Sequence, residues 1–355
     1  MPLLPFYLRL QAIVCLLSFA SCITIQSKPE NSSSAISVTE RKQSPSTDSV
    51  DSQLAVYLSS GNQFARDGLL REAMESYRKA LAIDSSHSVA LRNLGIVYVK
   101  AGDFGGAIIN LEKCIASFDR NFDANYYLAE AYRATDKYAD AIFRYKMALT
   151  IQKDDLRALK SLAWSYHKTR FYSEALSVAQ KALTISPNDD QIPIIVARVL
   201  MKLKRENDAL NILRKYSVKA PSSSAPYFQS VEAEILYSKG DSVGAQTVFR
   251  AALKSQPMLA GALFGLGKIS LEQGKTQEAI DYMERAVRVK PKMFEGHYFL
   301  GKALEKTNPQ KALRHLNYFR KNSATDPELI DMVSDAKDRI LSLAKAKEKI
   351  GEITE

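Results

Sequence analysis

The side chains that most readily carry chemistry are sparse in this chain. Four histidines, His87, His167, His297 and His315, stand far apart, and none opens the HExxH pattern of a zinc hydrolase. Three cysteines, Cys15, Cys22 and Cys114, are too few for a four-cysteine metal site or a disulfide-built scaffold. No GxxxxGKS or GxxxxGKT loop offers a cradle for phosphate. Carboxylates are abundant, but helix surfaces need them, and no pair stands out for acid–base work. The chain reads as a non-enzyme with no metal, no cofactor and no small-molecule substrate.

One cysteine has a different kind of chemistry. Arg9 precedes an apolar run from Leu10 to Ala20, which ends in Phe19-Ala20-Ser21-Cys22. A helix over that run measures roughly 16 Å, about half of what a hydrocarbon core demands, so it suits a secretory segment rather than a membrane span. Small residues before a cysteine resemble the lipobox of bacterial lipoproteins, although Phe19 stands where that family usually has Leu. The resemblance implies a signal peptide over 1–21 and lipidation of Cys22. An ordinary signal cut near Ser21 and an uncleaved anchor are the alternatives. The anchor's physical role would be retention, since two or three acyl chains hold a membrane durably where one does not. Residues 22–53, from the lipidated Cys onward, are Ser-rich and without apolar periodicity, and they read as a disordered tether.

The chain carries 49 basic and 39 acidic residues, a net charge of +10. Residues 1–52 contain four of each sign, so the excess lies beyond them. Such a surface favours an acidic partner. Nucleic acid would fit the charge but conflicts with export, and no aromatic–basic RNA motif is present.

From residue 54 the sequence repeats. Ala stands at 73, 107, 141, 175, 209, 245, 279 and 312, mostly 34 residues apart, with 36 before Ala245 and 33 before Ala312. Gly or Ala recurs at 61, 95, 129, 163, 197, 233, 267 and 301. Small residues at two fixed places let two antiparallel helices approach closely. Gly68, Gly102, Gly240 and Gly274 fall where one helix must end, and Pro187, Pro221, Pro257 and Pro291 where its partner must. Stretches such as LGIVYVKAGDFGGAIINLEKCI follow the pattern closely and resemble the tetratricopeptide repeat (TPR) family. The resemblance implies an all-α superhelical solenoid of about eight helix-turn-helix repeats. Repeats 1–5 would occupy 54–223 and repeats 6–8 would occupy 226–325, with a capping helix and tail over 326–355. Tyr216 and, later, Phe319 replace the small residue found at Ala80, Cys114, Ala148 and Ala182; Tyr216, with the two extra residues near 220 and Glu232 where the family has Leu, predicts a bend between repeats five and six.

In the family, certain positions of each first helix face a concave groove that holds extended or helical peptides. Mapped here they are Asn62, Arg92, Asn93, Tyr126, Tyr127, Glu130, Arg133, Lys160, Trp164, His167 and Arg198, then Tyr227, Lys268, Tyr298 and Lys302. Aromatic residues and Arg are the usual anchors of interfaces. Asn62 and Asn93 match the two Asn of the family's carboxylate clamp, but Leu58, Asp123 and Tyr127 stand where its cations belong, so no clamp exists in these repeats. The expectation is a protein-binding scaffold, lipid-anchored in a bacterial cell envelope on the periplasmic or surface side. Outer-membrane protein, pilus or secretion, and cell-wall complexes are the assemblies it would serve. A soluble periplasmic or secreted adaptor regulating an envelope enzyme is the alternative.

Overall fold

The computed structural model describes residues 47–117, 120–324, 326 and 328–354. The expected signal peptide, Cys22 and most of the tether lie outside the described residues. Seventeen helices and no strand occur among the described residues. They form eight antiparallel pairs: α1 (Thr47–Arg66) with α2 (Leu70–Ile83), α3 (Ser88–Ala101) with α4 (Phe104–Ser117), and α5 (Phe122–Ala134) with α6 (Tyr138–Ile151). Then come α7 (Leu156–Lys168) with α8 (Tyr172–Ile185), α9 (Gln191–Lys202) with α10 (Glu206–Ser217), and α11 (Ala225–Ser238) with α12 (Ser242–Ser255). The last pairs are α13 (Ala260–Glu272) with α14 (Thr276–Val289) and α15 (Phe294–Leu304) with α16 (Pro309–Ser323), followed by α17 (Ile330–Thr354). The chain is thus an all-α TPR-type solenoid of eight helix pairs with a terminal helix.

Local chemistry sets the boundaries. His87, Asn121 and Asp155, each 34 residues from the next, accept the backbone N–H three residues on and so open α3, α5 and α7. The turn inside seven of the eight pairs, all but α15–α16, holds one residue of left-handed backbone. Gly68, Gly102, Gly240 and Gly274 supply it with φ between 74° and 87°, but Asp136, Arg170 and Lys204 hold the same place with φ of 61°, 66° and 60°. For a residue with a Cβ that conformation costs about 1–2 kcal/mol.

Within a pair, the recurrent small residue receives a large one. A Cβ on Gly95 would lie 2.4 Å from Leu111 Cγ, and one on Gly61 would lie 2.6 Å from the Tyr77 ring. Gly301 faces Leu316 in the same way, and also the carbonyl of Ala312. The alanines at 73, 107, 141, 175, 209, 245, 279 and 312 are all fully buried. Each odd-numbered helix from α1 to α15 also approaches the next odd-numbered one, while no such series joins the even-numbered helices. The odd helices therefore form the tighter, inner wall of a curved stack.

Two boundaries differ from the sequence reading. α1 starts at Thr47, not 54, because Val50, Leu54, Tyr57 and Leu58 continue a helical apolar stripe that is half-buried. At the other end α17 starts at Ile330, beyond Asp326, and its Val333 and Ala336 pack on Tyr298, Leu316 and Phe319. Between α10 and α11, Phe228, Val231 and Ile235 share one apolar cluster with Val196, Leu200 and Leu213, and Tyr216 lies half-buried against it.

Two single changes test this account with opposite signs. Gly95→Ala should lower stability by about 1–3 kcal/mol through overpacking against Leu111, whereas Lys204→Gly should raise it by about 0.5–1 kcal/mol by relieving the left-handed turn. Urea unfolding midpoints measure both; a shift of the same sign for the two would contradict the crossing and the turn described.

Candidate partner-binding groove

The inner wall begins with linked amides. Asn93 Nδ2 donates to Asn62 Oδ1 at 2.9 Å, the Tyr77 hydroxyl donates to the same oxygen at 2.7 Å, and Arg92 Nε donates to Asn93 Oδ1 at 3.0 Å. Both Asn are thus joined to each other across adjacent repeats, beside a shallow depression.

Deeper in the wall Glu130 is a hub. Its carboxylate accepts from Arg133 Nη2 at 2.6 Å, Tyr145 Oη at 2.5 Å and Ser161 Oγ at 2.7 Å. Burial alone would raise its pKa, but these donors and the Arg133 charge outweigh it and hold it below the ordinary range. The Tyr145 hydroxyl, buried and facing that carboxylate, is pushed well up. Glu130 and Arg133 therefore serve the wall's architecture first.

Next to this hub lies a niche of ≈ 440 Å³ formed by Tyr126, Arg133, Arg157, Lys160, Trp164 and Ile195 among others. Leu162 and Ala163 turn into the core, which leaves Trp164 half-buried on the groove side. Its ring stacks on His167 at 5.4 Å with 12° between planes, and Lys168 Nζ lies 5.5 Å from it. Tyr126 meets Tyr127 edge-on at 5.1 Å and carries Arg157 over its face at 4.9 Å. Sequence reasoning passes over Arg157, although it stands six residues before the small residue Ala163 just as Tyr227 stands before Ala233. His167 is held neutral at pH 7: burial, then Lys168, Lys202 and Arg198, lower its pKa to about 4.

Cations on this wall are mostly matched. Lys160 pairs with Asp189 at 2.8 Å and Arg198 with Glu234 at 3.3 Å, both in the following repeat. Arg133 pairs with Glu130. These residues are consequently weaker attractors of acid than a sequence count of cations implies.

The second half differs more from expectation. Lys268 is enclosed by aromatic rings, its Nζ 4.6 Å from Tyr237, 5.4 Å from Phe299 and 5.9 Å from Phe264. Tyr298, expected in the groove, is a core residue: it is buried against α17 and donates its hydroxyl to Asp335 at 2.6 Å. The terminal helix covers the face that the next repeat would otherwise bury, and Tyr298 goes with it. Tyr227 is exposed and accepts from Gln256 at the end of α12, and Lys302 is exposed.

Two of the histidines do meet: His297 and His315 approach Nδ1 to Nδ1 at 2.8 Å, with His297 Nε2 2.9 Å from the Pro291 carbonyl. Cys114 is buried at a helix crossing, where burial raises its pKa. The segment Gly240-Asp241-Ser242-Val243-Gly244 has the GxSxG spacing of a hydrolase elbow, which sequence reasoning also passes over. It is the turn between α11 and α12: Asp241 caps the Gly244 N–H at 2.8 Å, no strand leads in, and no described histidine bonds Ser242. Among the described residues no group of three or more His, Cys, Asp or Glu could hold a metal, and no helix is long and apolar enough to cross a membrane.

Family models described as tetratricopeptide repeat match residues 98–164, 231–294 and 271–327. The chain is a tetratricopeptide repeat protein. A model described as anaphase-promoting complex, cyclosome, subunit 3 matches residues 134–216. Among solved structures, a TPR protein from Parabacteroides merdae ATCC 43184 is 16% identical with a TM-score of 0.65, covering 71% of this chain and 99% of that one. The APC/C hetero-tetramer Cut9-Hcn1 is 15% identical with a TM-score of 0.53, covering 82% of this chain and 56% of that one. No curated protein matches the sequence. At these identities the likeness carries the fold, and a TPR fold is that of a protein–protein interaction scaffold.

The Glu130 hub makes a pH-dependent prediction. A carboxyl lowered in the folded state contributes stability above its unfolded pKa of 4.5, and that contribution fades as pH falls through the lower folded value. Glu130→Gln should cost about 2–3 kcal/mol at pH 7, from hydrogen bonds to a charged group. The gap between variant and wild type should stay flat above about pH 5.5 and narrow below 4.5. Chemical unfolding from pH 3 to 8 reads it; a gap independent of pH would deny the ionised hub.

Proposed function

We propose that this TPR protein is a lipid-anchored scaffold of a bacterial cell envelope, which holds an extended or helical segment of its partner in the niche around Trp164. The observation that carries the reading is the niche itself: a half-buried Trp lines it together with Tyr126 and Arg157 on the inner wall, where rigid aromatic area meets a guanidinium that Asp155 orients at 3.0 Å. Matching of Lys160 and Arg198 within the wall makes the partner's anchor aromatic or aliphatic, with polar flanks, rather than chiefly acidic. Anchoring rests on the Phe19-Ala20-Ser21-Cys22 sequence, and the tether that follows would hold the repeats away from the lipid. Assembly of outer-membrane, pilus or secretion, or cell-wall complexes is the work such a tethered scaffold would do.

The partner can be captured from detergent-solubilised envelopes and titrated against variants. Trp164→Ala should weaken binding about 30-fold or more, the usual loss at a desolvated aromatic hot spot, while Lys181→Ala on the outer surface changes nothing. Equal affinity of the two variants would move the partner off the inner wall. Separately, Cys22→Ser should abolish palmitate incorporation and release the protein from membranes. Continued incorporation would defeat the lipoprotein reading and leave the soluble adaptor.

A further inference from the structure

Two non-glycine residues in left-handed turns make contacts that no single repeat needs. Asp136 pairs with Lys292 at 3.4 Å, and Arg170 pairs with Asp326 and, at 3.6 Å, with Glu328. All three contacts join the middle of the solenoid to its end, across 156 or 158 positions of sequence. Glu328 also accepts from Lys202 Nζ at 2.7 Å and from the Tyr172 hydroxyl at 2.5 Å. A local turn presents both carboxylates together, with the Glu328 N–H donating to Asp326 Oδ1 at 3.0 Å and the Leu329 N–H to the Asp326 carbonyl at 3.0 Å. Burial would raise the Glu328 carboxyl, but Lys202, Tyr172 and Arg170 together keep it below the ordinary range.

These contacts border a cleft of ≈ 310 Å³ between the ends of α7 and α9 and the turn before α15. Lys168 and Lys290 also line it, and neither ammonium forms an ion pair or hydrogen bond among the described residues. Partial burial first, then Lys168 and Arg198, push the Lys290 ammonium below its usual pKa, against Glu234 and Glu295.

We propose that Arg170, Tyr172 and Lys202 form a receptor for an acidic peptide, which Asp326 and Glu328 fill in cis until a longer acidic segment displaces them. The internal pair has the advantage of tethering, which raises its effective concentration. An incoming segment has the advantage of reach, because further carboxylates meet Lys168 and Lys290. The ion pairs to be broken are half exposed and individually weak, so exchange is feasible. This site stands apart from the Trp164 niche and does not require that niche to bind anything.

The probe is a fluorescein-labelled peptide of eight alternating Asp and Glu residues, read by fluorescence anisotropy on the full chain at 0.05 M salt. Asp326→Asn with Glu328→Gln keeps size and shape while emptying the receptor of charge, and should tighten binding at least tenfold over wild type. Adding Arg170→Gly, which suits the left-handed turn, and Lys202→Gln should remove that gain. An Asn/Gln peptide of equal length should not bind. Equal affinity for wild type and the amide variant would overturn the proposal. So would binding that survives loss of Arg170 and Lys202, or binding of the uncharged peptide.

Discussion

Helix pairs in this protein approach so closely that a small residue on the first helix must lie under a large residue of the second. Gly61 beneath Tyr77, Gly95 beneath Leu111, Gly267 beneath Met283 and Gly301 beneath Leu316 are four instances of that contact. The buried alanine of the second helix lets the two backbones come together, as the short distances to the carbonyls of Ala279 and Ala312 show. Everything else is stacked on this crossing. It sets the tilt of each pair, the tilt brings successive odd helices together, and their meeting gives the stack an inner wall.

That wall is held by polar side chains that reach one repeat onward. Asn93 to Asn62, Ser161 to Glu130, Lys160 to Asp189 and Arg198 to Glu234 all span roughly one repeat length. Such links fix the angle between neighbours and neutralise the wall from within. A partner then meets a surface whose polar groups are already oriented, which lowers the ordering cost of binding. What remains available is aromatic area around Trp164 and Tyr127, since Arg157 above Tyr126 is itself paired with Asp155.

The fold was legible because its cause is a spacing. Ala at 73, 107, 141 and 175, Gly at 68, 102, 240 and 274, and the prolines that end second helices reflect packing and turn geometry within one repeat. The groove was legible only in part. Position in the helix directs Trp164 away from the core, but it places Tyr298 wrongly, since only the stack shows that α17 covers it, and the bond between Asn62 and Asn93 is visible only in the structure. The same limit hides the pairing of Lys160 and Arg198, whose partners belong to another repeat, and the aromatic enclosure of Lys268. Contacts over 150 residues, such as Arg170 with Asp326, follow from accumulated curvature and have no local signature.

Accumulated curvature also explains why the unusual turns matter. A solenoid in which each repeat touches only its neighbours opens and closes as a spring, and its curvature is the sum of many small angles. Cross-links between distant turns remove that freedom. Asp136 and Arg170 stand where four other repeats have glycine, and each reaches across the groove to an opposite charge. The third such residue, Lys204, makes no ion pair among the described residues, so the left-handed backbone alone does not demand the contact. Two of the three strained turns thus take part in pairing across the stack. Whatever enters between α7 and the turn before α15 meets Arg170 and its carboxylate partners, which line that cleft, while Trp164 lines a separate niche.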